Sequence, residues 1–213
     1  HMVMPGMVYL SQPTELGTLY SKSELEAIAH VCKEHEVKLF VDGARLAYAL
    51  ACPENDVTLA DLAQLCDAFY IGGTKCGAMF GEAVVIPNPR LLPHMTTIIK
   101  QHGALLAKGR LLGIQFDELF KDHLYDTIGQ DAITYANQIR QACKKAGLPL
   151  YFENPTNQIF CLVTKKQMEK LSEKVLFSFW EKYDDDLTVI RFATSWSTRK
   201  EDVEALCQVI EAT

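Results

Sequence analysis

Apolar residues along the chain fall alternately into short unbroken runs and helical spacings, and that alternation predicts an order of elements. Met7 to Leu10 is a short apolar run ending at Ser11-Gln12-Pro13-Thr14, the pattern of a buried strand that meets a loop. Ser21 and Glu24 have the spacing of a capping box, and Leu25, Ile28, Ala29 and Cys32 follow at intervals that gather them on one helix face. Leu39 to Val41 reads as a second strand. Thr58 to Asp61 opens another helix with Leu59, Leu62, Ala63 and Cys66 turned inward, before a third strand at Ala68 to Ile71. Strands separated by helices need crossover connections, so parallel pairing is expected, with the loops at the carboxyl ends of the strands on one rim.

A further run, Ala83 to Ile86, reads as a strand closed by Pro87-Asn88-Pro89. From Leu91 to about Lys145 the pattern is mainly helical, with Leu111, Leu112, Leu119, Ile128, Ala132, Ile139 and Cys143 as its apolar positions. Gly147 and Pro149 stand where a cap and a breaker belong. Beyond them, Gln158 to Val163 reads as a strand, Lys165 to Tyr183 as a helix, Leu187 to Phe192 as a strand, and Thr198 to Ile210 as a final helix with Thr198 at its N-cap. The fold class is α/β: a mostly parallel large domain over residues 1–120, followed by a small α/β domain over 121–213. Asp184-Asp185-Asp186 reads as a solvated turn, since three adjacent carboxylates do not present a closed octahedral set to a metal.

Composition narrows the function. The chain has 213 residues, 48% of them hydrophobic, enough to bury a substantial core. Lys and Arg number 21 against 27 Asp and Glu, a net charge of −6, with no basic stripe; this argues against nucleic acid and against an anionic membrane surface as partners. No apolar run approaches the roughly eighteen residues of a membrane span, and the first residues lack a signal-peptide layout. Seven cysteines at irregular spacings read as reduced thiols and point to a cytoplasmic setting. His1-Met2 reads equally as a cloning scar and as native sequence.

The candidate chemistry lies at two strand ends. The apolar run Leu39-Phe40-Val41 delivers Asp42, and the run before Gly72-Gly73-Thr74-Lys75-Cys76-Gly77 delivers Lys75. Taken singly, Asp42 is a turn former and Lys75 a surface lysine. Taken together they suggest a pyridoxal phosphate site: a carboxylate keeps the pyridine nitrogen protonated, an amine forms the Schiff base, and the glycines with Thr74 offer N–H and O–H donors to a phosphate. His94 and His102 have no second ligand or carboxylate beside them and read as helix or loop histidines.

Phe40-Val41-Asp42-Gly43-Ala44-Arg45, the Gly72-Gly73-Thr74-Lys75 loop, the strand Val189-Ile190-Arg191-Phe192-Ala193-Thr194 and the stretch from Met7 to Tyr20 resemble the threonine aldolase and aromatic amino-acid β-eliminating lyase family. Its members are fold-type-I enzymes dependent on pyridoxal 5'-phosphate. The resemblance implies Lys75 as the Schiff-base lysine and Asp42 as the partner of the ring nitrogen. It implies Arg45 near the substrate carboxylate or the cofactor, and Arg191 as the clamp on that carboxylate. Cleavage of a β-hydroxy-α-amino acid to glycine and an aldehyde is the activity implied; β-elimination on another amino acid and a non-catalytic assembly module are the alternatives. Family members are longer, so the chain is expected to match their C-terminal portion, without the phosphate-holding turn and the ring that stacks on the cofactor. The resemblance also implies a homo-oligomer, with Lys100-Gln101-His102-Gly103 and Lys108-Gly109-Arg110 as weak candidates for the subunit contact.

Overall fold

The computed structural model describes residues 1–213. β1 (Met7–Ser11) leads through a loop to α1 (Lys22–Glu34), then β2 (Lys38–Gly43), α2 (Leu46–Leu50), α3 (Leu59–Leu65), β3 (Ala68–Gly72) and β4 (Glu82–Val85). These strands form one sheet in the order β1-β2-β3-β4. The first three run parallel and β4 returns antiparallel to β3. The expected crossovers are present. The predicted capping box formed: Ser21 and Glu24 satisfy each other's backbone N–H at the start of α1, and Thr58 with Asp61, expected only to open a helix, does the same for α3.

One face of this sheet is dry. Leu39 and Val41 of β2, with Phe69 and Ile71 of β3, pack against Leu25 and Cys32 of α1 and Leu62 of α3. Alternation along the strands places Phe40, Asp42 and Tyr70 on the other face, where Tyr9 lies stacked on Phe40 with ring centroids 5.5 Å apart. That face is only half covered within the chain, Tyr9 being 53% exposed and Val84 58%.

The second half begins with α4 (Met95–Gln101), α5 (Arg110–Phe120), α6 (Leu124–Thr127) and α7 (Gln130–Lys145), and continues with β5 (Gln158–Thr164), α8 (Lys165–Ser172), β6 (Ser178–Lys182), β7 (Leu187–Ala193) and α9 (Lys200–Glu211). Its sheet is antiparallel, in the order β5-β7-β6. Ile159, Cys161, Val163, Ile190 and Phe192 face α7 and α9 and form a second core with Ile139, Cys143, Val203 and Ile210. A small buried cluster of Tyr48, Cys52, Ala132 and Ile133 joins α2 to α7 between the two cores. No helix is long and apolar enough to cross a membrane.

Two local expectations fail, and one helix, α2, was not foreseen. The helix expected over Lys165 to Tyr183 ends at Ser172, and Ser178–Lys182 is instead the strand β6. Phe179 and Trp180 favour extended backbone, and pairing with β7 supplies the hydrogen bonds that an exposed helix end would lack. α2 had no periodic signal because Leu46, Ala47, Tyr48 and Ala49 are all buried, so no polar face marks it. Thr198 does not cap α9: Arg199 holds that position without a side-chain bond, while the Thr198 hydroxyl accepts from the Ser195 N–H at 2.8 Å.

Gly43 locks β2 to β3 beside the rim, because a Cβ there would stand 2.1 Å from the Tyr70 carbonyl oxygen. Gly43→Ala is expected to lower stability by about 1–3 kcal/mol, read as an earlier urea midpoint with an unchanged slope.

Candidate active site

Asp42 is delivered by the register of three parallel strands, Ser11 opposite Asp42 opposite Tyr70. The Tyr9 hydroxyl donates to Oδ2, the Tyr70 hydroxyl donates to Oδ1, and the Ala44 N–H donates to Oδ1 at 2.8 Å. Partial burial pushes this carboxyl up, but the Tyr70 and Tyr9 hydroxyls, the Ala44 N–H and the charge of Lys75 outweigh it and hold Asp42 below the ordinary aspartate value. The partners respond in turn. Tyr9 is pushed up to about 12, first by its bond to Asp42, and Tyr70 is raised by burial and by the same carboxylate.

Lys75 sits in the loop that leaves β3, on the same rim. Two buried phenols pin this loop by its backbone: the Tyr125 hydroxyl donates to Gly72 O at 2.8 Å, and the Tyr48 hydroxyl donates to Lys75 O. Gly72 is packed so tightly on β2 that a Cβ would lie 2.6 Å from the Gly43 and Ala44 carbonyl oxygens. The loop is thus held while the amine stays free, since Nζ has no hydrogen-bond or ion-pair partner. Burial, then the charge of Arg45, lowers the Lys75 pKa, with Glu15, Asp42 and Glu82 opposing. Asp42 and Lys75 each feel the charge of the other, across the rim that β2 and β3 share.

Arg45 contacts the loop after β1 directly, and Arg191, from the other sheet, reaches it through Gln158. Arg45 Nη1 lies 3.4 Å from both Glu15 carboxylate oxygens. Across the loop, Gln158 Nε2 donates to the Glu15 carbonyl at 2.8 Å, and Gln158 Oε1 accepts from Arg191 Nη1 at 3.0 Å. Arg191 also lies over the Trp180 ring, 5.4 Å from its centroid, and donates weakly to Ser178 Oγ at 3.4 Å. Its Nε is buried with no partner, an orphan donor that a carboxylate would satisfy. The loop is itself tied down, by Thr156 Oγ1 donating to Gly17 O at 2.8 Å. Thr74 is exposed beside Lys75.

Several residues of this site have no mark in the sequence. Tyr9, Glu15, Tyr48, Tyr70, Glu82 and Gln158 reach it only through strand register or the contact between the two halves. Glu82, raised by burial, senses both Lys75 and Asp42. The even spacing of Tyr9 and Ser11 along β1 is the one local hint that a side chain would share the face of Asp42. His94 and His102, flanking α4, are absent from the charges that act on Asp42 and Lys75. The Asp184-Asp185-Asp186 run is a turn in which Asp184 Oδ1 accepts from the Asp186 and Leu187 N–H groups and Asp185 pairs with Lys182. No cluster of side chains in the chain could hold a metal ion.

Comparison with known proteins gives the chain a family. Residues 1–166 match the family described as beta-eliminating lyase. A low specificity L-threonine aldolase of Pseudomonas sp. is 31% identical over 224 residues, covering 100% of this chain and 61% of that protein. One from Pseudomonas aeruginosa is 31% identical over 218 residues, covering 99% and 60%. The solved structure of Leishmania major threonine aldolase superimposes with a TM-score of 0.95 at 43% identity, covering 100% of this chain and 62% of that one. A putative L-allo-threonine aldolase from Listeria monocytogenes, at 16% identity and a TM-score of 0.72, shares the fold. The chain spans about three fifths of the length of the curated relatives it matches. From the family match, which extends over most of the sequence, together with the Asp42–Lys75 rim, it follows that the chain belongs to the beta-eliminating lyase family.

Proposed function

We propose that this chain carries the lysine-bearing part of a pyridoxal 5'-phosphate-dependent lyase, one that cleaves the Cα–Cβ bond of a β-hydroxy-α-amino acid such as threonine to give glycine and an aldehyde. The observation that carries the reading is that Asp42 lies near the carboxyl end of β2 and Lys75 just after the adjacent parallel strand β3, close enough for the charge of Lys75 to act on Asp42. The residues present fit the cofactor. The Lys75 amine is unpartnered and of lowered basicity, and the ionised Asp42 carboxylate keeps one acceptor position free on Oδ2.

When bound, pyridoxal phosphate supplies a ring that draws in the electrons of a bond at the substrate α-carbon. The chain's own residues prepare for that. Partial burial and the charge of Arg45 lower the basicity of the Lys75 amine, the direction that favours its nucleophilic form. Asp42, negative and fixed, would hold a proton on the ring nitrogen. Thr74 would offer its hydroxyl to the phosphate. Arg191, with its orphan Nε, would bind the substrate carboxylate, and Arg45 would add a second positive charge; a carboxylate fixed by two arginines would limit how the α-carbon can be presented to the cofactor.

In this reading residues 1–120 carry the cofactor and residues 121–213 bring Arg191 to it. Exposed Met79, Phe80, Leu106, Leu111 and Ile114 give the large half an apolar surface suited to a second copy of the chain. The alternative, β-elimination, has the same charges around Lys75 and differs only in the bond broken, so the products decide. Threonine giving glycine and acetaldehyde supports the aldolase; release of ammonia and a keto acid supports β-elimination.

Lys75→Ala is expected to lose both the visible absorbance of the bound cofactor and turnover; retained activity would refute the assignment. Arg191→Gln is expected to raise KM for the amino acid about tenfold to a hundredfold, with a smaller effect on kcat. Arg45→Gln removes a positive neighbour and frees Glu15, so the Lys75 pKa must rise. Its modification by an amine-directed reagent, followed by mass spectrometry across pH, should then begin at higher pH than in the unaltered chain.

A further inference from the structure

Asp42 stands between two tyrosines that the proposed chemistry does not use. β1 brings Tyr9 from one side and β3 brings Tyr70 from the other, each through a hydrogen-bond register fixed along the whole strand pair. Both phenols donate to the same carboxylate, Tyr9 to Oδ2 and Tyr70 to Oδ1, while the Ala44 N–H takes the second position on Oδ1. A carboxylate offers about four acceptor positions, so three donors leave one, and it lies on Oδ2. Tyr9 is itself fixed, its ring stacked on Phe40 at 5.5 Å.

We propose that Tyr9 and Tyr70 are positioning residues for Asp42, which fix the plane of its carboxylate and leave a single Oδ2 acceptor position for the ring nitrogen of the cofactor. This rests on the reading of Asp42 as the partner of that nitrogen. Without the clamp, the Asp42 side chain would rotate about its terminal torsion, which is broad and roughly two-fold, and its acceptor would be spread over several directions. The clamp also makes the carboxylate a weaker base, because two phenol donors stabilise its charged form. A weaker base leaves the proton on the ring nitrogen. The other charged groups near Asp42 are Lys75, which favours its ionised form, and Glu82, whose own carboxyl is raised first by burial and in part by Asp42.

The test uses Tyr9→Phe, Tyr70→Phe and the double variant, which keep the rings and remove only the hydroxyls. The first readout needs no cofactor: an NMR titration of the Asp42 carboxyl carbon in the cofactor-free protein, with Asp42→Asn to assign the signal. The midpoint is expected to rise in each single variant and further in the double variant. The second is the dissociation constant for pyridoxal phosphate, expected to weaken by about tenfold for each hydroxyl removed. An unchanged midpoint overturns the clamp. A raised midpoint with unchanged cofactor affinity overturns its link to the ring nitrogen. Failure of the unaltered chain to take up pyridoxal phosphate overturns cofactor binding by these residues alone, and the titration still decides whether the tyrosines hold Asp42.

Discussion

The hydrogen-bond register of β2 between β1 and β3 is the constraint on which the site depends. Side chains on a strand alternate between faces, so a slip of one residue would bury Asp42 among Leu25, Leu62 and Phe69 and turn Val41 toward the tyrosines. The buried face prevents that slip. Leu39, Val41, Phe69 and Ile71 fit the helices only in the observed register, and the apolar packing that stabilises the sheet therefore also aims the carboxylate. Gly43 and Gly72 bring the backbones of β2 and β3 together where Asp42 and the lysine loop emerge. Stability and chemistry share the same contacts there.

Charge at the rim is arranged by distance rather than by pairing. Lys75, Arg45 and Arg191 stand against Asp42, Glu15 and Glu82, yet the one direct ion pair among them is the long contact of Arg45 with Glu15. Exposed pairs of that kind contribute little to folding. Their value is to set the basicity of an amine whose own nitrogen is left free. Where the chain does spend hydrogen bonds is on the backbone around the site, through the Tyr48 and Tyr125 hydroxyls and the Gln158 amide. Rigid backbone with unpaired functional atoms is the arrangement that suits a site awaiting a ligand.

The two halves of the chain communicate through few but directed contacts. Gln158 reads Arg191 on one side and the Glu15 carbonyl on the other, and Tyr48 accepts from the Trp196 N–H at 3.3 Å while donating to Lys75 O. A displacement of the antiparallel sheet would therefore be felt at both the arginine and the lysine loop. The small cluster around Tyr48, Ala132 and Ile133 gives that connection its apolar backing.

Local pattern was enough for the strands of the first sheet, the Ser21–Glu24 capping box, the parallel crossovers and the delivery of Asp42 and the Lys75 loop to neighbouring strand ends. Each of these rests on neighbours within a few residues, or on the rule that parallel strands deliver their loops to one rim. Local pattern failed at α2 and β6. In α2 burial on all sides erased the amphipathic signal, and in β6 a partner strand outweighed helical spacing. Tyr9, Tyr70, Glu15 and Gln158 were beyond its reach altogether. Their place at the site follows from register between strands and from contact between halves, interactions that link residues as far apart as Glu15 and Gln158 and are made only once the chain has packed. The sequence by itself pointed to an acid and an amine at neighbouring strand ends, because local pattern fixes where strands stop; only the tertiary structure decided what holds the Asp42 carboxylate and the backbone of the Lys75 loop, because those partners come from other strands and from the second half of the chain.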